Sequence, residues 1–221
     1  MKNYKKNIII IFDFDGVISI TDKEPLISSL KILGMGYPNQ EIIDSYKIHK
    51  KEISSLSKLY NFIKKQLDIN INEEEFKSKL FNHRRKNIKN SEYKKLFKPT
   101  LIFVFFKYLS YFFDCCILTS RDVPTISMFM NENNFKKKIP IYSNTQLNKS
   151  KYEVIKKILN SSKYIIFLDD MLANIKGYKE KNNVSAIHVR TSDNNFLQFL
   201  MRIFTIIKTI FNIIKNLISN K

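Results

Sequence analysis

Residues 8–12, Ile-Ile-Ile-Ile-Phe, form an unbroken apolar run that ends on Asp13, Phe14, Asp15 and Gly16. A strand covered on both faces is apolar without alternation, so this run predicts a buried strand. Side chains alternate along a strand, which starts Asp13 and Asp15 on one side of the chain as it leaves the sheet. Ligands of open α/β sheets sit at such carboxyl ends. Two like charges this close repel unless a proton or cation lies between them, and hard carboxylate oxygens suit Mg²⁺. An acidic Asp–Gly turn without further role looks the same locally. The rest of the chain has to decide between them.

After Val17 the pattern turns helical for some seventy residues. Glu24–Leu33 is a short amphipathic segment closed by Gly34 and Gly36, and Pro38–Asn39 opens a helical stripe that continues to about Leu67. Asn72 and Glu75 have the spacing of a helix N-cap and its third residue, predicting a further helix past Leu80. No strand pattern interrupts this block. From Phe97 the rhythm becomes helix and strand in alternation. Pro99–Phe112 predicts a helix with Pro in its first turn, and Asp114–Leu118 a strand running into Thr119–Ser120–Arg121–Asp122. Val123–Asn133 predicts a helix, Ile139–Tyr142 a brief strand, and Ser150–Leu159 another helix. Tyr164–Leu168 predicts a buried strand ending on Asp169–Asp170, with a helical turn to Gly177 and a last strand at Ser185–Val189. Such alternation implies an α/β protein with a parallel sheet and right-handed crossovers. The expected division is a core of residues 1–18 and 92–221 with an inserted helical unit of residues 19–91.

The chain has 221 residues and a formal charge of +18, which raises nucleic acid or acidic lipid as partners. Nearly all of that charge is Lys; Arg occurs only at positions 84, 85, 121, 190 and 202. With Asn and Ile also heavily used, compositional drift accounts for the charge, and no nucleic-acid motif accompanies it. Cys115 and Cys116 are adjacent inside an apolar run, so they point to opposite faces of a strand and read as core thiols in a reducing compartment. Lys2, Lys5 and Lys6 ahead of the first strand mimic a signal peptide, but the apolar run is too short and ends on Asp13. A cytoplasmic location is the expectation.

In a parallel sheet the strand ends share one edge, so Asp13, Asp15, Thr119, Asp169 and Asp170 converge, joined by Lys151 or Lys149 from the start of a helix. The set Asp13–Phe14–Asp15–Gly16, Leu118–Thr119–Ser120–Arg121, Lys151 and Leu168–Asp169–Asp170 resembles, in order and strand context, the four motifs of the haloacid dehalogenase-like hydrolase superfamily. The helical insertion is similar to the cap of the subgroup that includes phosphoglycolate phosphatase and β-phosphoglucomutase. The resemblance implies a Rossmann-like core with a helical cap and Mg²⁺-dependent hydrolysis of a small phosphate monoester. It makes Asp13 the nucleophile and Asp15 the general acid and base, present where a leaving oxygen needs a proton. Thr119, or Ser120 beside it, would bind the phosphoryl oxygens with Lys151. Asp169 and Asp170 would hold Mg²⁺ together with Asp13 and the Phe14 carbonyl; the repulsion argument adds Asp15 to the candidate metal residues. Asn174 stands one turn beyond Asp170 and is a candidate to orient it. His49, His83 and His188 fit no metal spacing, and His83–Arg84–Arg85–Lys86 is either an anion-binding patch or a solvated helix face. After Gly16 the segment Ile18–Ser19–Ile20–Thr21–Asp22–Lys23–Glu24 departs from the subgroup's Asp–Ser pair, so substrate does not carry over. A phosphomutase, or an adaptor without catalysis, are the competing functions.

Residues 196–218 predict an amphipathic helix longer than such a core needs. At 100° per residue its polar members span about 140°, and the rest is mostly Ile, Leu and Phe. Arg202, Lys208 and Lys215 argue against a bilayer span. Packing on the sheet, a dimer contact and peripheral membrane contact are the three readings it leaves.

Overall fold

The computed structural model describes residues 7–21, 23–36, 38, 40–50, 52–53, 55–67, 69–159, 164–176, 178, 183–189 and 196–219. The basic residues Lys2, Lys5 and Lys6, and the expected helix end at Gly177, lie outside them. The chain divides into two units, one of residues up to Ile20 with those from Lys98 onward, the other Thr21–Phe97.

The first unit opens with β1 (Ile8–Phe12), followed by β2 (Ser19–Ile20). Every regular element among the described residues of the second unit is a helix: α1 (Glu24–Ile32), α2 (Gln40–His49), α3 (Leu56–Leu67), α4 (Glu73–Asn87) and α5 (Ser91–Lys94). Returning to the first unit, the chain runs through β3 (Lys98–Pro99), α6 (Leu101–Phe112), β4 (Asp114–Thr119), α7 (Val123–Glu132), β5 (Ile141–Ser143) and α8 (Lys151–Leu159). It closes with β6 (Tyr164–Asp169), α9 (Leu172–Lys176), β7 (Val184–His188) and α10 (Phe196–Ser219).

Five strands make one parallel sheet in the order β5-β4-β1-β6-β7. The apolar run of β1 is therefore central, which is why no polar residue alternates into it. On one face Phe12 meets Phe106 of α6 edge-on at 4.9 Å between ring centroids, and Phe103 meets Phe129 of α7 at 5.2 Å. On the other face Ile11, Leu118 and Phe167 pack with Val154 and Ile155 of α8. Sheet and two helix layers give the α/β/α sandwich that parallel strands require. Cys115 and Cys116 are both buried in β4, and burial pushes each thiol up to about 12, so they are inert core groups.

Three local differences from the sequence reading have physical causes. The helical stripe from Pro38 to Leu67 is two helices, α2 and α3, because Ser55 caps a new start, its hydroxyl accepting from Lys58 N at 3.2 Å. Pro99 is not in the first turn of α6; it lies in β3, paired antiparallel with β2, and Thr100 is the cap, accepting from Phe103 N at 3.2 Å. β5 is Ile141–Ser143, two residues later than expected at its start, held by pairing of Ile141 with Ile117. The cap at Asn72 is as expected, accepting from Glu75 N at 2.9 Å.

In the helical unit, Leu26, Leu30, Leu59, Ile63, Phe76 and Leu80 form a core of their own. Beside it Arg84 lays both ends of its fork on Glu24, Nε to Oε1 and Nη2 to Oε2, each at 2.9 Å, with both side chains almost wholly buried. Ser28 also donates to Glu24, at 2.8 Å. Arg84 is thus a structural residue and leaves the His83–Lys86 cluster without its central cation for an anion.

Candidate active site

The functional side chains follow from register. Phe12 pairs with Leu168 and with Ile117, which sets Asp13 level with Asp169 and one residue short of Thr119. The three strands are parallel, so all three residues leave the sheet at one edge. Carboxylate oxygens of Asp13, Asp169 and Asp170 lie within 4.8 Å of one another. Groups more than 150 positions apart in sequence share one spot, as the sequence reading required.

Each group is held. Asp13 accepts from Phe14 N at 2.8 Å through Oδ1, and its backbone N–H donates to Leu168 O at 2.8 Å. Lys151, the first residue of α8, sets its Nζ 2.8 Å from Asp13 Oδ2 and 2.8 Å from Asp169 Oδ2. Lys149 is exposed and donates its backbone N–H to Asn144. Asp169 further accepts from Met171 N at 2.7 Å and from Asn174 Nδ2 at 3.1 and 3.0 Å. Asn174 therefore steadies Asp169, not Asp170 as the spacing suggested. Thr119 is buried, and its Oγ1 accepts from Arg121 N at 3.1 Å, so its hydroxyl proton points elsewhere. Ser120 follows it, half-buried. His188 donates from Nε2 to Asp170 O at 2.9 Å, a structural use of that ring.

Arg121 is the residue sequence reasoning passed over as a contributor. It is 2% exposed and grips Asp15 through Nε at 3.0 Å and Nη2 at 2.7 Å from Oδ1. The Asp15 carboxylate is thereby fixed on a guanidinium and lies outside the group of three acids that could share an ion. A signal was present. In a chain that uses Lys almost everywhere, an Arg kept directly after Thr119–Ser120 points to a contact that needs a planar fork.

Electrostatics set the site's character. Burial pushes the Asp13 carboxyl well above its ordinary 3.8; Asp169, Asp170 and Asp15 add to the rise while Lys151 opposes it. Burial alone would pull Lys151 down, but Asp13 and Asp169 outweigh it and hold the ammonium charged. A close set of carboxylate oxygens in which burial disfavours the charge on Asp13 is what a hard divalent cation relieves, so Asp13, Asp169 and Asp170 fit Mg²⁺. The sign of the pH effect follows. In metal-free protein the folded state binds the Asp13 proton more tightly than the unfolded chain, so this group's contribution to stability falls as pH rises from about 4 through its raised pKa. Melting temperature measured against pH in chelator should show that decline, and Asp13→Asn should flatten it.

Gly16 is dictated by the same cluster. Its φ is +78°, and an added Cβ would stand 2.1 Å from Asp170 Oδ2. Gly16→Ala is expected to cost about 1–2 kcal/mol for the left-handed backbone and to displace Asp170. A lower melting point together with weaker Mg²⁺ binding checks this.

No family model matches the chain, and no curated protein does. Solved structures do. A haloacid dehalogenase-like hydrolase family protein from Streptococcus pneumoniae aligns at 15% identity over 81% of this chain and 83% of its own, with TM-score 0.55. A protein described as a phosphoglycolate phosphatase from Lactobacillus plantarum aligns at 12% identity over 87% of this chain and 89% of its own, with TM-score 0.57. A phosphatase from Thermococcus thioreducens aligns at 11% identity over 82% and 92%, with TM-score 0.52. The chain has the haloacid dehalogenase-like fold, as the four sequence motifs implied.

Proposed function

We propose that this protein is a Mg²⁺-dependent phosphatase that hydrolyses a phosphate monoester of a small metabolite through an aspartyl phosphate on Asp13. The observation that carries the reading is the joint placement of Asp13, Asp169, Asp170 and Lys151 at one sheet edge. A scaffold gains nothing from gathering buried like charges, which cost stability unless they are paired for use.

The chemistry divides among the residues. An Asp13 carboxylate oxygen attacks phosphorus while the bond to the leaving oxygen breaks, and Asp15 gives that oxygen its proton. Asp15 then takes a proton from water, whose oxygen attacks phosphorus as the bond to Asp13 breaks, releasing phosphate. Thr119 donates its hydroxyl to a phosphoryl oxygen, with Ser120 as its neighbour, and Lys151 offsets charge on the oxygens in flight. Arg121 orients Asp15 for both proton transfers. Asp13, Asp169 and Asp170 would hold Mg²⁺, which supplies the positive charge that lets a phosphate dianion approach a carboxylate. The helical unit, residues 21–97, is the proposed cap that selects the substrate.

A screen of phosphorylated metabolites for phosphate release, with Mg²⁺ and with chelator, tests the reading. Mg²⁺-dependent release from at least one ester is expected. Transfer of phosphate between two positions of a sugar without free phosphate would make the protein a mutase instead, and inertness toward every ester would remove the enzymatic reading.

A further inference from the structure

Helix α10 is apolar over a wider arc than the protein covers. Ile206, Ile210 and Ile213 are buried, and the helix packs against α6. At 100° per residue these three occupy one narrow stripe. Next to it, Leu197, Leu200, Phe204, Ile207, Phe211 and Ile218 fall within an arc of about 80°, and all of them are exposed, Phe204 and Phe211 at 69% each. An apolar stripe of this length on a monomer's surface marks a place where something binds.

Charge identifies the occupant. The segment 196–219 contains no Asp or Glu, and its cations are Arg202, Lys208 and Lys215. Lys208 and Lys215 stand at one edge of the exposed apolar arc, where a long stem lies along an apolar phase while the ammonium stays at its polar boundary. The neighbouring helix α6 exposes Tyr108 and Tyr111, rings that favour a membrane–water boundary. A second copy of this chain is a poor occupant, because each carries a formal charge of +18 and would present the same lysines to its mate. By length and composition α10 is the one described helix able to cross a bilayer. A span is nevertheless disfavoured, since a stripe of α10 is committed to the protein and Lys208 sits mid-helix.

We propose that α10 lies in the interfacial plane of an anionic bilayer, its exposed apolar arc in the acyl boundary and Lys208 and Lys215 on the headgroups. The protein then works at a membrane surface without spanning the bilayer. This inference does not depend on the chemistry proposed for the site.

The test is flotation of the full chain with vesicles of phosphatidylcholine alone and of phosphatidylcholine mixed with phosphatidylglycerol. Two double variants accompany it, Phe204→Ser with Phe211→Ser and Lys208→Glu with Lys215→Glu. All four positions are exposed, so the fold is kept, and far-UV circular dichroism verifies that. Flotation with the phosphatidylglycerol vesicles is expected, weaker with phosphatidylcholine alone and reduced by salt. The lysine variant should bind about thirty-fold more weakly or worse, and the phenylalanine variant should stay in the soluble fraction. Three results would overturn the proposal. One is absence of flotation with either vesicle. Another is attachment that survives high salt and alkaline washing, the mark of a spanning helix. The third is a concentration-dependent dimer that the phenylalanine variant abolishes.

Discussion

Asp13→Asn is expected to abolish Mg²⁺-stimulated phosphate release, a loss of about 10⁴-fold or more. The amide keeps the shape and the contact with Phe14 N at 2.8 Å but is no nucleophile. Asp15→Asn should cost about 10²- to 10⁴-fold, because it removes proton transfer and leaves attack intact. The two variants separate by substrate. An ester whose leaving group needs no proton should partly escape the Asp15 defect, whereas no ester should escape the loss of Asp13. Folding defects are told apart by stability. Burial and three neighbouring carboxylates already disfavour the ionised Asp13, so Asp13→Asn should raise the melting point of metal-free protein above neutral pH. A dead variant that is more stable has lost chemistry, not structure. Comparable phosphate release from Asp13→Asn would assign the activity to a contaminant or to another residue.

The second large effect belongs to the helical unit. Arg84→Ala is expected to destabilise residues 21–97 by about 3–5 kcal/mol, since it leaves the buried Glu24 carboxylate without its counter-charge. In a unit of this size that is a large part of the total stability, so proteolysis should nick it first. Glu24→Ala should do similar harm by leaving the guanidinium unpaired. The double change Glu24→Gln with Arg84→Met should recover much of the loss, because it leaves no buried charge. Additive losses in the double variant would mean that the pair is not coupled. Arg84→Lys should not rescue, since an ammonium cannot span both carboxylate oxygens as the fork does.

How far the sequence could be read depended on the kind of contact. The strand ends were legible because parallel topology turns three distant positions into one edge. Asp13, Thr119 and Asp169 needed only an apolar run before each of them. Register then did the rest, since Phe12 pairs with both Ile117 and Leu168. What stayed hidden were contacts set by side-chain reach. Nothing local says that Asn174 turns back to Asp169 or that Arg121 crosses to Asp15. Arg84 looked like one member of a basic surface patch because its partner, Glu24, is sixty residues away. The break between α2 and α3 is hidden for another reason: the apolar stripe continues across it, and Ser55 marks the new start. The forks on Glu24 and on Asp15 both belong to Arg in a chain drifted to Lys. In such a composition the few arginines deserve the search that the many lysines cannot repay.

The most direct test of the central claim is calorimetric titration of Mg²⁺ into the metal-free protein and into Asp13→Asn, Asp169→Asn and Asp170→Asn. The account predicts one saturable site in the wild type that is weakened in all three variants, since each removes a charged oxygen from the same cluster. Unchanged binding in all three, or no binding in the wild type, would contradict it.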